Sequence, residues 1–126
     1  MDVFTPGQGP IVVKVELSGP VAATWARLIL DTGATSTIIK PDVLMAIGYD
    51  PDFAAERVSV TTVDGIRVVP RLHLNRFTAL GQHRLAFPVV CHPLQTADGI
   101  QGLLGIDFFR GTLLTVDFVK GQIEVH

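Results

Sequence analysis

The stretch Leu28-Ile29-Leu30-Asp31-Thr32-Gly33-Ala34-Thr35-Ser36-Thr37-Ile38-Ile39 decides how the rest of the chain is read. An apolar run delivers one carboxylate into a turn of small and hydroxyl residues, and a second apolar pair follows at once. The pattern predicts a buried strand ending in a tight loop, because Asp and Gly form turns and Gly tolerates positive φ. A carboxylate set among apolar strand residues loses hydration, and desolvation favours the neutral acid unless a partner compensates. Asp31 is therefore a candidate acid or base.

Upstream of that stretch, residues 1–10 contain Pro6, Gly7, Gly9 and Pro10 and read as a loose arm. Ile11 to Leu17 is a β-branched strand, Ser18-Gly19-Pro20 turns it, and Ala22 to Leu30 returns. Downstream, Thr37-Ile38-Ile39 is short and extended. Lys40 to Gly48 reads as one or two helical turns, with Pro41 near the start, Val43, Leu44 and Ile47 on one face and Gly48 as the stop. Val58 and Val60 then alternate with Ser59 and Thr61, and Asp64-Gly65 is the strongest hairpin signal, with Ile66 to Leu74 as the return arm. Leu80 to His83 is another turn. Leu85 to Cys91 is a buried strand in which Pro88 marks an edge or a bulge. Phe108-Phe109-Arg110 fits a short helix, and Leu113 to Phe118 pairs with Gln122 to Val125 across Lys120-Gly121. Many short strands separated by Gly turns predict one all-β domain over 1–126, closed or sandwiched.

Composition narrows the function. Of 126 residues 17% are charged, and mean hydropathy is +0.41, so there are few charges to coat a small surface. That predicts burial of part of the surface against a partner, hence an oligomer. A net charge of −2 with no basic run gives no support for nucleic acid or an anionic membrane as partner. No apolar stretch approaches the roughly eighteen residues of a membrane span. The start has neither a basic nor an apolar leader segment, and Cys91 is the single cysteine, which suits a reducing compartment; a cytoplasmic location is expected. His73, His83, His92 and His126 are scattered, with no zinc spacing, and no Gly-rich phosphate loop occurs, so no metal or cofactor is expected.

Asp31-Thr32-Gly33-Ala34 after Leu28-Ile29-Leu30 resembles the signature of retropepsin-like aspartic proteases. A second match follows at Leu103-Leu104-Gly105-Ile106-Asp107-Phe108-Phe109, a segment that in the family packs beneath the catalytic loop and opens a short helix. The resemblance implies a small closed acid-protease barrel, single-lobed and homodimeric. Such enzymes use two carboxylates sharing one proton, the behaviour the aspartic proteases exemplify. Only one Asp-Thr-Gly is present, so the resemblance implies that the second carboxylate is Asp31 of another copy. It gives Thr32 and Gly33 the role of fixing the active-site loop. Ala34, Thr35, Val63, Asp64, Gly65, Ile66, Leu104 and Ile106 become candidate substrate contacts, with residues 60–67 as a flap over an extended polypeptide. Apolar residues around the scissile bond are the expected preference, since most of these contacts are apolar.

Two departures from the viral pattern occur together. Where viral enzymes carry an Asp and an Arg that pair near the dimer contact, this chain has Thr35 and Ile106, which looks like the cellular or bacterial branch. Losing both partners leaves no orphan charge. Asp107 is expected to cap the short helix or to pair with Arg110. Two other readings stay open: a non-proteolytic dimerisation or peptide-binding module, and a domain whose activity depends on release from a longer polypeptide.

Overall fold

In the computed structural model, which describes residues 2–7 and 9–126, the Leu28–Ile39 stretch is a strand, a loop and a second short strand. The strands in chain order are β1 (Asp2–Val3), β2 (Val12–Ser18), β3 (Ala23–Leu30), β4 (Ile38–Ile39), β5 (Glu56–Thr62), β6 (Gly65–Ala79), β7 (Gln82–Cys91), β8 (Gly102–Leu104), β9 (Leu114–Asp117) and β10 (Gln122–Val125). Helix α1 spans Pro41–Ala46, and single 3-10 turns occupy Pro51–Phe53 and Ile106–Phe109.

The large sheet runs β2-β3-β8-β4-β7-β6-β5, and β6 also pairs with β2, which closes the first six of these strands into a barrel. Closure follows from the alternation of side chains along each strand. Val13, Val15 and Leu17 of β2, Ala26 and Leu28 of β3, and Leu72, Leu74 and Phe77 of β6 all point inward and are buried. Phe77, Phe87 and Phe108 meet in the centre with ring centroids 4.8 to 6.0 Å apart, in tilted and edge-on arrangements suited to aromatic quadrupoles.

The 15-residue β6 serves two neighbours on one edge. Its first half pairs with β5 and Arg76 to Thr78 pair with β2, while β7 holds the opposite edge from Arg71 to Ala79. Between the two, Tyr49 fills the opening: its hydroxyl donates to the His73 carbonyl at 3.0 Å and accepts from the Asn75 N–H at 3.0 Å. The return from β6 to β7 uses Leu80 and Gly81 at φ 51° and 75°. A mirror-image turn of this kind matches the twist of the strands. Leucine tolerates the left-handed region poorly, but Leu80 here is only 9% exposed, so burial offsets a local cost of about 1 kcal/mol.

Pro88 lies inside β7, opposite His73. The Val90 and His92 N–H groups point to β4, donating to Thr37 and Ile39 carbonyls. Pro88 shares their orientation but lies beyond the end of the two-residue β4, so its missing N–H breaks no ladder bond. Cys91 is buried on the same strand; burial, reinforced by the negative charge of Asp52, pushes its thiol pKa up.

A second sheet, β1-β10-β9, covers one end of the barrel. Within the stretch expected to be a loose arm, Asp2 and Val3 pair with Ile123 and Gln122 of the same chain, and the Phe4 N–H donates to the Gly121 carbonyl at 2.8 Å. Among the described residues no helix is long and apolar enough to cross a membrane.

Candidate active site

β8 lies between the two arms of the Asp31 loop. It runs parallel to β3, with Leu30 opposite Leu104, and antiparallel to β4, with Ile38 opposite Leu103. Two backbone bonds stitch the loop to the end of β8 and the residues after it, and a third closes the loop on itself. Asp31 N–H donates to the Leu104 carbonyl at 3.0 Å, Ala34 N–H to the Asp31 carbonyl at 3.1 Å, and Ile106 N–H to the Ala34 carbonyl at 2.9 Å. Such an approach requires glycine at 105: a Cβ there would stand 2.7 Å from the Ser36 carbonyl group and 2.9 Å from the Ala34 oxygen.

Beneath the loop sits Thr37, fully buried. Its hydroxyl donates to Asp107 Oδ1 at 2.7 Å and accepts from the Gly105 N–H at 3.1 Å, while its own N–H donates to Asp107 Oδ2 at 3.0 Å. Asp107 also accepts the Phe108 N–H at 2.9 Å, but it does not pair with Arg110. Of the two expected roles, helix cap or partner of Arg110, the pair is not formed: the carboxylate accepts a first-turn N–H and turns inward to a buried hydroxyl. Arg84 completes the support, with its guanidinium 4.6 Å over the Phe108 ring and Nη2 donating to the Phe108 carbonyl at 3.0 Å. Neither Thr37 nor Arg84 stands out in the sequence as a site residue.

The result is a rigid platform for the Asp31 carboxylate. Asp31 is partly buried, and its Oδ1 accepts the Gly33 N–H at 2.9 Å, a charge-assisted bond that fixes the carboxylate plane. Thr32 and Gly33 lie at the exposed crest of the loop.

The β5–β6 hairpin folds over this platform. Its two-residue tip, Val63-Asp64, is held by Thr62, whose hydroxyl donates to the Gly65 carbonyl at 2.9 Å and accepts the Asp64 N–H at 3.2 Å. Gly65 takes φ 113°, which its neighbours avoid. Two adjoining hollows of about 710 and 450 Å³ lie below the hairpin and share Ile38, Val60, Thr61 and Leu103 as walls.

The candidate contacts divide. Ala34 and Thr35 line the smaller hollow, next to Gly33 and Ser36, and Val63 and Asp64 line the larger. Gly65 and Ile66 are exposed and border neither hollow, and Ile106 serves the loop through its backbone. Leu104 is 0% exposed and belongs to the core; Leu103 faces the cleft in its place, because adjacent strand residues point to opposite faces. The lining is also less apolar than expected: Arg67 and His92 border the larger hollow and Arg71 the smaller. The buried Nδ1 of His92 has no partner among the described residues. Among those residues no cluster of three or more His, Cys, Asp or Glu side chains is placed to hold a metal ion.

The barrel has a counterpart among solved structures. The chain is similar in structure to a retropepsin-like aspartic protease from Rickettsia conorii, with a TM-score of 0.68 over 98% of this chain and 86% of that one, at 14% sequence identity. At that identity the likeness speaks for the fold. No curated protein sequence matches the chain. The aspartyl protease family profile matches residues 13–108, which include the Asp31 loop, the hairpin and β8. With most of its length inside that match and a retropepsin-like barrel around it, the chain belongs to the aspartyl protease family.

Proposed function

We propose that this protein is an aspartic endopeptidase that acts as a homodimer, with one Asp31 from each subunit. The observation that carries the reading is the Asp31 carboxylate itself, held by the Gly33 N–H and presented beside exposed Thr32 and Gly33. Two such carboxylates too close for both to ionise share one proton. The ionised one takes a proton from a water, and the resulting hydroxide adds to the scissile carbonyl carbon. The protonated one gives its proton to the carbonyl oxygen. Collapse of the tetrahedral intermediate breaks the C–N bond: the proton held by the first carboxylate goes to the leaving amine, and a hydroxyl proton of the intermediate returns to the second carboxylate as the new carbonyl forms. No covalent bond to the protein forms. Thr32 bonds across the two-fold axis and sets the spacing of the loops. Substrate lies extended below the β5–β6 hairpin, which excludes water from the site.

The test is cleavage of a degenerate peptide library from about pH 4 to about pH 7, with wild type and Asp31→Asn side by side and sedimentation to establish pairing. Cleavage by paired wild type alone is expected. Equal cleavage by both proteins, or binding of peptide by paired wild type without cleavage, would overturn the reading.

A further inference from the structure

The smaller hollow beneath the hairpin contains one charged side chain. Its walls are the loop residues Gly33 to Ser36, the apolar Ile38, Val58, Val60, Val90 and Leu103, two hydroxyl residues of β5, and Arg71. No carboxylate lines it. Arg71 is partly buried, and among the described residues no carboxylate lies within ion-pair distance of it. A guanidinium cannot shed its charge when desolvated, so its lost hydration must be replaced by an acceptor.

The acceptor that strand register offers is already engaged. Glu56 stands directly across from Arg71 in the β5–β6 ladder, where opposite charges normally meet. Glu56 instead reaches the diagonal neighbour, with Oε1 3.4 Å from His73 Nδ1. Arg71 also borders the shallow hollow beside Tyr49, which contains that same Glu56–His73 pair. Arg67, four residues back on the same face of β6, borders the larger hollow, whose lining also includes the Asp64 carboxylate. Of the two hollows below the hairpin, the one beside the Asp31 loop has a cation and no carboxylate in its lining.

We propose that Arg71 is a specificity-determining residue that receives an acidic side chain, Asp or Glu, of an extended polypeptide substrate in the hollow bordered by Gly33–Ser36. The inference rests on the peptidase reading of the same cleft and replaces the apolar preference expected there. The wall beside Arg71 is apolar, so the guanidinium–carboxylate bond forms in a partly dry setting and discriminates more than a surface pair does. A charge-assisted hydrogen bond of that type corresponds to about tenfold in selectivity or more.

Two readouts separate this inference from the peptidase reading. One is the ratio of kcat/KM for peptides that differ only by Glu or Gln at each position in turn. The other is the ratio of their affinities for Asp31→Asn, measured by fluorescence anisotropy, which needs no turnover. At one position the Glu peptide is favoured about tenfold in both, Arg71→Gln brings the ratio to about one, and Arg71→Lys retains part of it. Arg110→Glu, on a residue outside the cleft lining, keeps the wild-type ratio. Cleavage with no acidic preference at any position overturns the inference and leaves the peptidase reading standing. Acid-selective, Arg71-dependent binding without cleavage by wild type supports the inference and overturns the peptidase reading. A preference that survives in Arg71→Gln, or neither binding nor cleavage of any peptide, overturns the assignment to Arg71.

Discussion

The Thr37 hydroxyl and the Asp107 carboxylate meet at 2.7 Å beneath the Asp31 loop, and the Thr37 N–H bonds the other carboxylate oxygen at 3.0 Å. One side chain thus ties the far end of the loop to the 3-10 turn that follows β8. Thr37→Val keeps the shape and removes the hydroxyl, leaving Asp107 Oδ1 with the Phe108 N–H as its one donor and the Gly105 N–H without its acceptor. Loss of a charge-assisted bond in a buried setting is expected to cost about 2 kcal/mol in urea unfolding. Proteolytic activity should fall by more than the unfolded fraction accounts for, because the platform under Asp31 loosens.

Gly105→Ala tests the closeness of loop and strand. The new Cβ would press on backbone atoms of Ser36 and Ala34, which cannot rotate aside. Overpacking of this kind costs about 1 to 3 kcal/mol, and the strain falls on the residues that carry Asp31. Reduced stability together with a misplaced loop should appear as a drop in kcat in protein that is still folded by circular dichroism.

Leu103 and Leu104 are adjacent and identical in type, yet truncating them should do different things. Leu104→Ala empties a core position and is expected to cost about 3 kcal/mol of stability. Leu103→Ala should cost about 1 kcal/mol, because the side chain is only partly buried, and should instead widen both hollows and change KM across a peptide series. Equal stability losses with unchanged KM would contradict the facing assigned to each.

Asp117 makes the end sheet sensitive to acid. The backbone N–H of Lys120 and that of Val119 donate to its carboxylate, each at 2.9 Å, and with the Lys120 charge they hold its pKa below the usual carboxylate range. A depressed folded-state pKa means that the unfolded chain takes up the proton first on acidification. The contribution to stability is therefore complete above the ordinary carboxylate pKa and is lost as pH falls through the folded value. The difference in unfolding midpoint between wild type and Asp117→Asn should be constant near neutrality and shrink below about pH 4.

The fold was legible because its two deciding segments are short, contiguous and rich in Gly and β-branched residues. Leu28 to Ile39 reads as strand, turn and strand, and Leu103-Leu104-Gly105 signals a strand that ends against a close neighbour. Three features of the site were not legible, each for a separate reason. Which of Leu103 and Leu104 faces the cleft depends on how β8 registers between β3 and β4, and two identical side chains hide that parity. Thr37 looks like any β-branched strand residue until Asp107 arrives from a distant part of the chain. Arg71 reads as the polar half of an alternating strand, and only the folding of the hairpin over the Asp31 loop turns that half into a wall of the cleft.

The end sheet has a consequence of its own. Because β1 adds to β10 of the same chain, the sheet is completed without borrowing a strand from another subunit. An obligate dimer with interleaved strands has no stable separate protomer, so its melting temperature climbs with concentration. In the homodimer we propose, each protomer would keep its own end sheet, and dilution would remove only the second Asp31. Activity of the proposed peptidase would then follow the concentration at which protomers pair, which makes local abundance a control on it.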